Sequence, residues 1–185
     1  MRIIGGQHRG THLVNVGKGD MSAHLRPTSD RVRENLFNVL TSGRQGDVVA
    51  GAIVLDLFAG TGALGLEALS RGATEVTFVE NGRAGQKLIR QNIDRLGRAE
   101  ESLLLACDAT ALPMSKQPAD LIFMDPPYGK GLGIAALKSA KQGNWIKDGT
   151  IIVWEERSQQ IAPVGLQIID QRRYGETWIT ILEAV

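Results

Sequence analysis

The chain predicts a doubly wound α/β domain with a mainly parallel sheet, fronted by a small extension made of a β-hairpin and a helix. Three observations carry this. From residue 53 onward, short apolar runs alternate with segments of helical period. A glycine-rich run, Asp56-Leu57-Phe58-Ala59-Gly60-Thr61-Gly62-Ala63-Leu64-Gly65, sits where the first strand gives way to a helix. Acidic residues recur where strands end, at Asp56, Glu80, Asp108 and Asp125.

The elements follow in order. Residues 1–4 and 11–16 read as short strands around Gly5-Gly6 and Gly10, and 17–27 as a polar loop. A helix follows, capped by Thr28, Ser29 or Asp30, with Val32, Leu36, Val39 and Leu40 at helical spacing and its end near Ser42-Gly43. Strands are expected over 53–58, 75–80, 102–106, 119–124 and 150–154. Helices are expected over 63–71, from a cap at Asn81 to Gly97, and over 131–142. Residues 166–173 and 177–183 read as an antiparallel pair turning at Tyr174-Gly175-Glu176. One boundary is expected near residue 50, between an extension over 1–50 and a cofactor-binding domain over 51–185, with 43–51 as the linker.

A chain of 185 residues, 43% of them hydrophobic, is enough for one folded core. No apolar run reaches membrane-spanning length, and the opening Met1-Arg2-Ile3-Ile4 is too short for a signal peptide, so a cytoplasmic location is expected. The single cysteine, Cys107, permits no intrachain disulfide and no cysteine-based metal site. It reads as a small buried hydrophobe, because no neighbouring histidine activates it. His8 and His12 lack a further ligand and read as surface residues, so no metal is expected. Trp145, Trp154 and Trp178 read as packing residues. The net charge of +1 hides an asymmetry: residues 1–33 carry +4 and the remainder −3. The basic segment points to a phosphate-bearing partner or to a solvated surface, and charge does not choose between them.

Gly60, Gly62 and Gly65 form G-x-G-x-x-G at a strand-to-helix turn, where glycine lets the backbone approach a ligand. Glu80 at the end of the second strand can accept from ribose hydroxyls. This much serves a nicotinamide dinucleotide or S-adenosylmethionine. Asp56 tilts the choice toward the second, since a carboxylate there suits a cationic amino-acid moiety better than a pyrophosphate. Asp108 is positioned to accept from an adenine amino group.

The fourth strand runs into Asp125-Pro126-Pro127-Tyr128. Two prolines fix φ, lack N–H groups and present carbonyl oxygens from a rigid turn. Asp125 adds a carboxylate acceptor, and Tyr128 a face on which a planar base can stack. Acceptors that grip an exocyclic NH2 favour a more tetrahedral, more nucleophilic nitrogen, which is what methylating that nitrogen requires.

These motifs resemble those of class I S-adenosylmethionine-dependent methyltransferases. The N-terminal block narrows the resemblance. Arg2-Ile3-Ile4-Gly5-Gly6, Arg9-Gly10, Arg26-Pro27-Thr28-Ser29-Asp30-Arg31-Val32-Arg33-Glu34 and Leu36-Phe37-Asn38-Val39-Leu40 are similar to the RsmD family. The resemblance spans essentially the whole chain, including the closing Tyr174-Gly175-Glu176-Thr177. It implies a Rossmann-like, seven-stranded sheet with antiparallel last strands. It implies methyl transfer from S-adenosylmethionine to N2 of a guanine in 16S rRNA, guanine 966, within a small ribosomal subunit particle. Asp56, Phe58, Gly60 and Gly62 would line the cofactor, with Glu80 and Asn81 at the ribose and Asp108 with Ala109 at the adenine. The segment bearing Arg26 and Thr28 would close over it, and Asp125, Pro126, Pro127 and Tyr128 would hold the guanine. Arg2, Arg9, Arg26, Arg31 and Arg33 are the candidates for RNA; Arg31 and Arg33 serve equally well to solvate a helix face. Adenine N6 and cytosine N4 remain as alternative acceptors, and a nicotinamide-dependent oxidoreductase as an alternative class.

Overall fold

The computed structural model describes residues 1–14 and 29–185. Arg26, Thr28 and the end of the second expected N-terminal strand lie outside the described residues. Among the described residues, seven strands form one sheet in the order β3-β2-β1-β4-β5-β7-β6. They are β1 (Ile53–Leu57), β2 (Glu75–Val79), β3 (Ser102–Leu105), β4 (Ala119–Met124), β5 (Ile146–Glu156), β6 (Leu166–Tyr174) and β7 (Thr177–Ala184). The helices are α1 (Asp30–Ser42), α2 (Ala63–Ser70), α3 (Arg83–Leu96) and α4 (Leu132–Gln142). β1 to β5 pair in parallel, and β7 runs antiparallel to both β5 and β6. The expected Rossmann-like, mainly parallel sheet is the observed one. Among the described residues, no helix is long and apolar enough to cross a membrane.

The central strands bury both faces, which is why they read as continuous apolar runs. Neighbouring residues go to opposite layers. Val54, Leu121 and Phe123 join the core with α1, α2 and α3, whereas Leu55, Ile122 and Met124 join the core with α4. Trp145 and Trp154 are core residues of the second layer, as expected. β5 extends well past the expected 150–154 at both ends.

Helix ends follow local chemistry. Ser29 caps α1, its hydroxyl accepting from the Val32 N–H at 3.3 Å. Asn81 does not cap α3. The cap is Gly82, without a side-chain bond, and the Gly82 N–H instead donates to Glu80 Oε1 at 2.7 Å. The turn is shaped by the preceding carboxylate rather than by an asparagine. Gly97 ends α3 at φ +63°, as its sequence position suggests.

The N-terminal strands form a minimal hairpin with an Arg2–His12 bridge. It is strapped to α2 by a fully buried carboxylate. Glu67 accepts from the Ile4 N–H at 2.7 Å, the Gly5 N–H at 2.8 Å and Arg71 Nε at 2.7 Å, and lies 3.9 Å from Arg33 Nε. Arg71 in turn lies 5.0 Å over the Phe37 ring. Glycine is required at residue 6, where φ is +72° and a Cβ would stand 1.8 Å from the Ser70 carbonyl oxygen. Removing one partner of a buried ionic cluster leaves uncompensated charge and costs about 3–5 kcal/mol. Glu67→Ala is therefore expected to lose that much in urea denaturation, and Arg33→Met/Glu67→Gln less than the sum of its single changes. A loss below about 1 kcal/mol for Glu67→Ala would show that the strap is dispensable.

Candidate active site

Parallel pairing of β1 with β4 sets Leu57 opposite Met124, so the glycine loop and the Asp125-Pro126-Pro127-Tyr128 turn leave the sheet side by side. Strand order reverses direction there: the chain goes from β1 outward to β2 and β3, then returns to β4. Crevices outside the carboxyl ends of strands at such a point are the usual ligand sites of open α/β sheets.

The loop is built by carboxylates. Asp56 is almost fully buried and accepts from the Gly65 N–H at 2.9 Å, tying the strand end to α2. Glu80 accepts from the Gly60 N–H at 2.8 Å with one oxygen and from Gly82 with the other. Its carbonyl oxygen accepts from Gln86 Nε2 at 2.9 Å. A Cβ on Gly85 would stand 2.8 Å from Glu80 Cγ and 2.9 Å from the Gly60 carbonyl oxygen, so only glycine lets α3 approach this cluster. Phe58 has φ +57°, a conformation that an aromatic residue pays for with about 1–3 kcal/mol of strain. Such strain is concentrated at ligand-binding turns. Asp108, three residues beyond β3, accepts from both the N–H and the hydroxyl of Thr110 at 2.8 Å, and these bonds hold its carboxyl below the usual range. Ala109 beside it is buried.

On the β4 side, Asp125 gathers other carboxylates. Burial first, then Glu155, Asp56 and Glu156, push its carboxyl well above the ordinary range. Burial likewise raises Asp56 to about 8, opposed by the Gly65 bond and reinforced by Glu80. Tyr128 donates its hydroxyl to Glu155 Oε1 at 3.2 Å. Burial pushes its phenol upward against a hydrogen bond to Thr177, so it stays protonated. The Arg157 guanidinium lies 5.4 Å from the centre of the Tyr128 ring. The site is thus strongly acidic and partly desolvated, which suits a cationic ligand.

A family model described as "Conserved hypothetical protein 95" matches residues 1–183. A relative from Escherichia coli strain K12, "Ribosomal RNA small subunit methyltransferase D", is 37% identical over 163 residues, covering 88% of this chain and 78% of the relative. This chain belongs to that family, the RsmD family. A Haemophilus influenzae member of the same name is 33% identical over 182 residues, covering 95% of this chain and 89% of its own. The solved structure of Escherichia coli yhhF superimposes with a TM-score of 0.85 at 34% identity, covering 100% of this chain and 97% of its own.

The sequence-predicted residues do not all come together. Asp56, Phe58, Gly60, Gly62 and Glu80 lie around the glycine loop, with Asp125, Pro126, Pro127 and Tyr128 across the crevice. Asn81 is exposed beside Glu80. Arg2, Arg9 and Arg31 are exposed, and Arg2 pairs with Asp30 at 3.3 Å. Arg33 does not fit an RNA role: it is 1% exposed, donates to the Arg2 carbonyl and Asp30, and faces Glu67. It holds the extension together. Sequence reasoning missed Glu155, Glu156 and Arg157. The signal was present, since acidic residues end β5 as they end β1 and β2.

The pH dependence of stability follows from Asp56. Its folded value, about 8, lies above the unfolded value near 3.9. Between these, the folded chain holds a proton that the unfolded chain has lost, so stability falls as pH rises, by up to about 1.4 kcal/mol per pH unit for each such group. Denaturation of the ligand-free protein at pH 6 and pH 8 should show this decline, and Asp56→Asn, which keeps an acceptor for Gly65, should reduce it. An identical decline in the variant would contradict the assignment.

Proposed function

We propose that this chain transfers a methyl group from S-adenosylmethionine to the exocyclic N2 of a guanine in 16S rRNA, the position-966 guanine of the family resemblance. The observation that carries the proposal is the parallel β1–β4 register, which makes the glycine loop and Asp125-Pro126-Pro127-Tyr128 leave the sheet side by side. Relatives named ribosomal RNA small subunit methyltransferase D support small-subunit ribosomal RNA as the substrate; a small-subunit particle is the context we propose for it.

The residues present fit the cofactor. A sulfonium and an ammonium would relieve the repulsion among Asp56, Asp125, Glu155 and Glu156, whereas a dinucleotide pyrophosphate would add to it. Glu80 keeps lone pairs beyond its two backbone bonds for ribose hydroxyls. Asp56 would face the methionine end, and Asp108 with Ala109 the adenine. Asn81 would lie at the ribose. Bound there, the cofactor supplies an electrophilic methyl group.

The chain's part is orientation and proton handling. Tyr128, fixed through its hydroxyl to Glu155 and backed by Arg157, would stack the base after it leaves the RNA helix. The Asp125 carboxylate and the Pro126 carbonyl would accept from the amino hydrogens and hold the nitrogen lone pair toward the methyl group. As the nitrogen gains positive charge, Asp125 is the adjacent acceptor for the proton it sheds.

Asp125→Ala should lower kcat by about 10²–10³-fold, the loss typical of removing one well-placed polar group from a transition state. Calorimetry should show cofactor affinity within about threefold of the parent chain, well under 1.4 kcal/mol. Undiminished turnover would remove Asp125 from the mechanism. Equal loss of cofactor binding would make it a cofactor ligand instead.

A further inference from the structure

The catalytic end of the sheet is acidic, yet an RNA substrate brings phosphates with its target base. Those phosphates need a cationic surface close by. The ladder beyond β5 supplies one. Glu155, Ile179 and Arg172 share one rung across β5, β7 and β6, and Glu156, Trp178 and Arg173 share the next. Two strand spacings, about 10 Å, separate each carboxylate-bearing backbone from its arginine. Residues facing each other across an antiparallel ladder lie on the same face of the sheet. Ile179 and Tyr174 pack in the core layer that contains α1, so Arg172 and Glu155 lie on the α1 side. Tyr174 pairs with Thr177, which bonds to Tyr128, so the catalytic turn and this edge adjoin.

Here α1 and β6 flank an open groove of about 560 Å³. Arg172, Arg173 and Tyr174 line one wall, and Asn35, Asn38 and Ser42 the other; by the alternation along β6, Arg172 lies on the α1 side and Arg173 on the opposite face of this edge strand. The helix residues form a single stripe, with exposed Arg31 one turn before Asn35. Both arginines are anchored through Nε, Arg172 to Asp170 at 2.7 Å and Arg173 to the Gly175 carbonyl at 2.9 Å. An anchored guanidinium keeps further donors in a fixed fork, the geometry that phosphate oxygens take. Asn and Ser side chains are the usual neutral partners of phosphate and sugar.

The geometry points to this groove as the binding site for the sugar-phosphate backbone of the unstacked RNA strand flanking the target nucleotide. The inference rests on the RNA reading above. Arg172 acts as a binding residue outside the chemistry: the strand leaves the acidic crevice past Thr177 and lies between α1 and β6.

The test compares the parent chain with Arg172→Gln in binding protein-free 16S rRNA over a range of salt concentrations. A second variant, Ser42→Glu, places a carboxylate on the opposite wall without touching the anchoring bonds of β6. Arg172→Gln should bind about threefold more weakly. Its log–log salt slope should fall by about 0.7, one phosphate contact. Arg172→Lys should recover most of the slope, and Ser42→Glu should weaken binding in the same direction. S-adenosylmethionine affinity should be unchanged in all of them. Unchanged RNA affinity and slope in Arg172→Gln and in Ser42→Glu would overturn the inference. So would weakened binding to small-subunit particles with unchanged binding to free RNA, which would assign the groove to a protein. A parent chain that binds and methylates no RNA would instead overturn the functional reading on which the inference rests.

Discussion

The parallel pairing of β1 with β4 is the constraint on which the site depends. Its register fixes where two loops leave the sheet, and both carry chemistry: Asp56 to Gly65 on one side, Asp125 to Tyr128 on the other. Because both strands are buried and end at the same level, their terminal carboxylates are forced together with Glu155 and Glu156 from β5. The crowding is unfavourable for the empty fold. Burial first, and neighbouring carboxylates after it, raise Asp56 and Asp125, and the left-handed backbone of Phe58 adds to the cost. The sheet tolerates this because its two apolar layers, one around Phe37 and Phe123 and one around Trp154 and Leu182, anchor the same strands from below. In the proposed function, a bound cation would offset this local instability at the rim.

The N-terminal segment depends on the same frame. Its most distinctive residues turn out to be packing devices. Gly6 touches the Ser70 carbonyl, Arg33 is buried beside Glu67, and Ile4 and Gly5 donate to that carboxylate. On α3, Asn92 is fully buried and joins two parts of the chain. Its side chain accepts from the Val14 N–H at 2.7 Å, and donates to the Val14 carbonyl at 3.2 Å and the Thr61 carbonyl at 3.0 Å. The hairpin is thus bonded to the helix after the glycine loop and, through Asn92, to the loop itself.

Much of the fold was legible because its signals are local. Apolar runs of strand length, Gly97 after a helical stripe and the turn at Gly175 each declare an element from neighbouring residues. The glycine loop and the Asp-Pro-Pro-Tyr turn were legible because their chemistry is contiguous. What escaped depended on contacts distant in sequence. Arg33 looks like any surface arginine on a helix until Glu67, more than thirty residues later, folds against it. Asn81 looks like a cap until Glu80 takes the Gly82 N–H. Glu155 and Arg157 acquire meaning only when β5 lies beside β4 and brings them to Tyr128.

In the function we propose, an acidic crevice would take the cationic methyl donor, a rigid set of acceptors the amino group, and a cationic edge the RNA backbone beyond them. The acceptors alone do not discriminate among the amino groups of the bases; guanine N2 is the acceptor we propose. The most direct measurement is nucleoside analysis after reaction with S-adenosylmethionine carrying a labelled methyl group, using small ribosomal subunits from cells lacking this activity. The account predicts label in N2-methylguanosine of 16S rRNA at one position. Label in N6-methyladenosine or N4-methylcytidine, or no transfer to RNA at all, would contradict it.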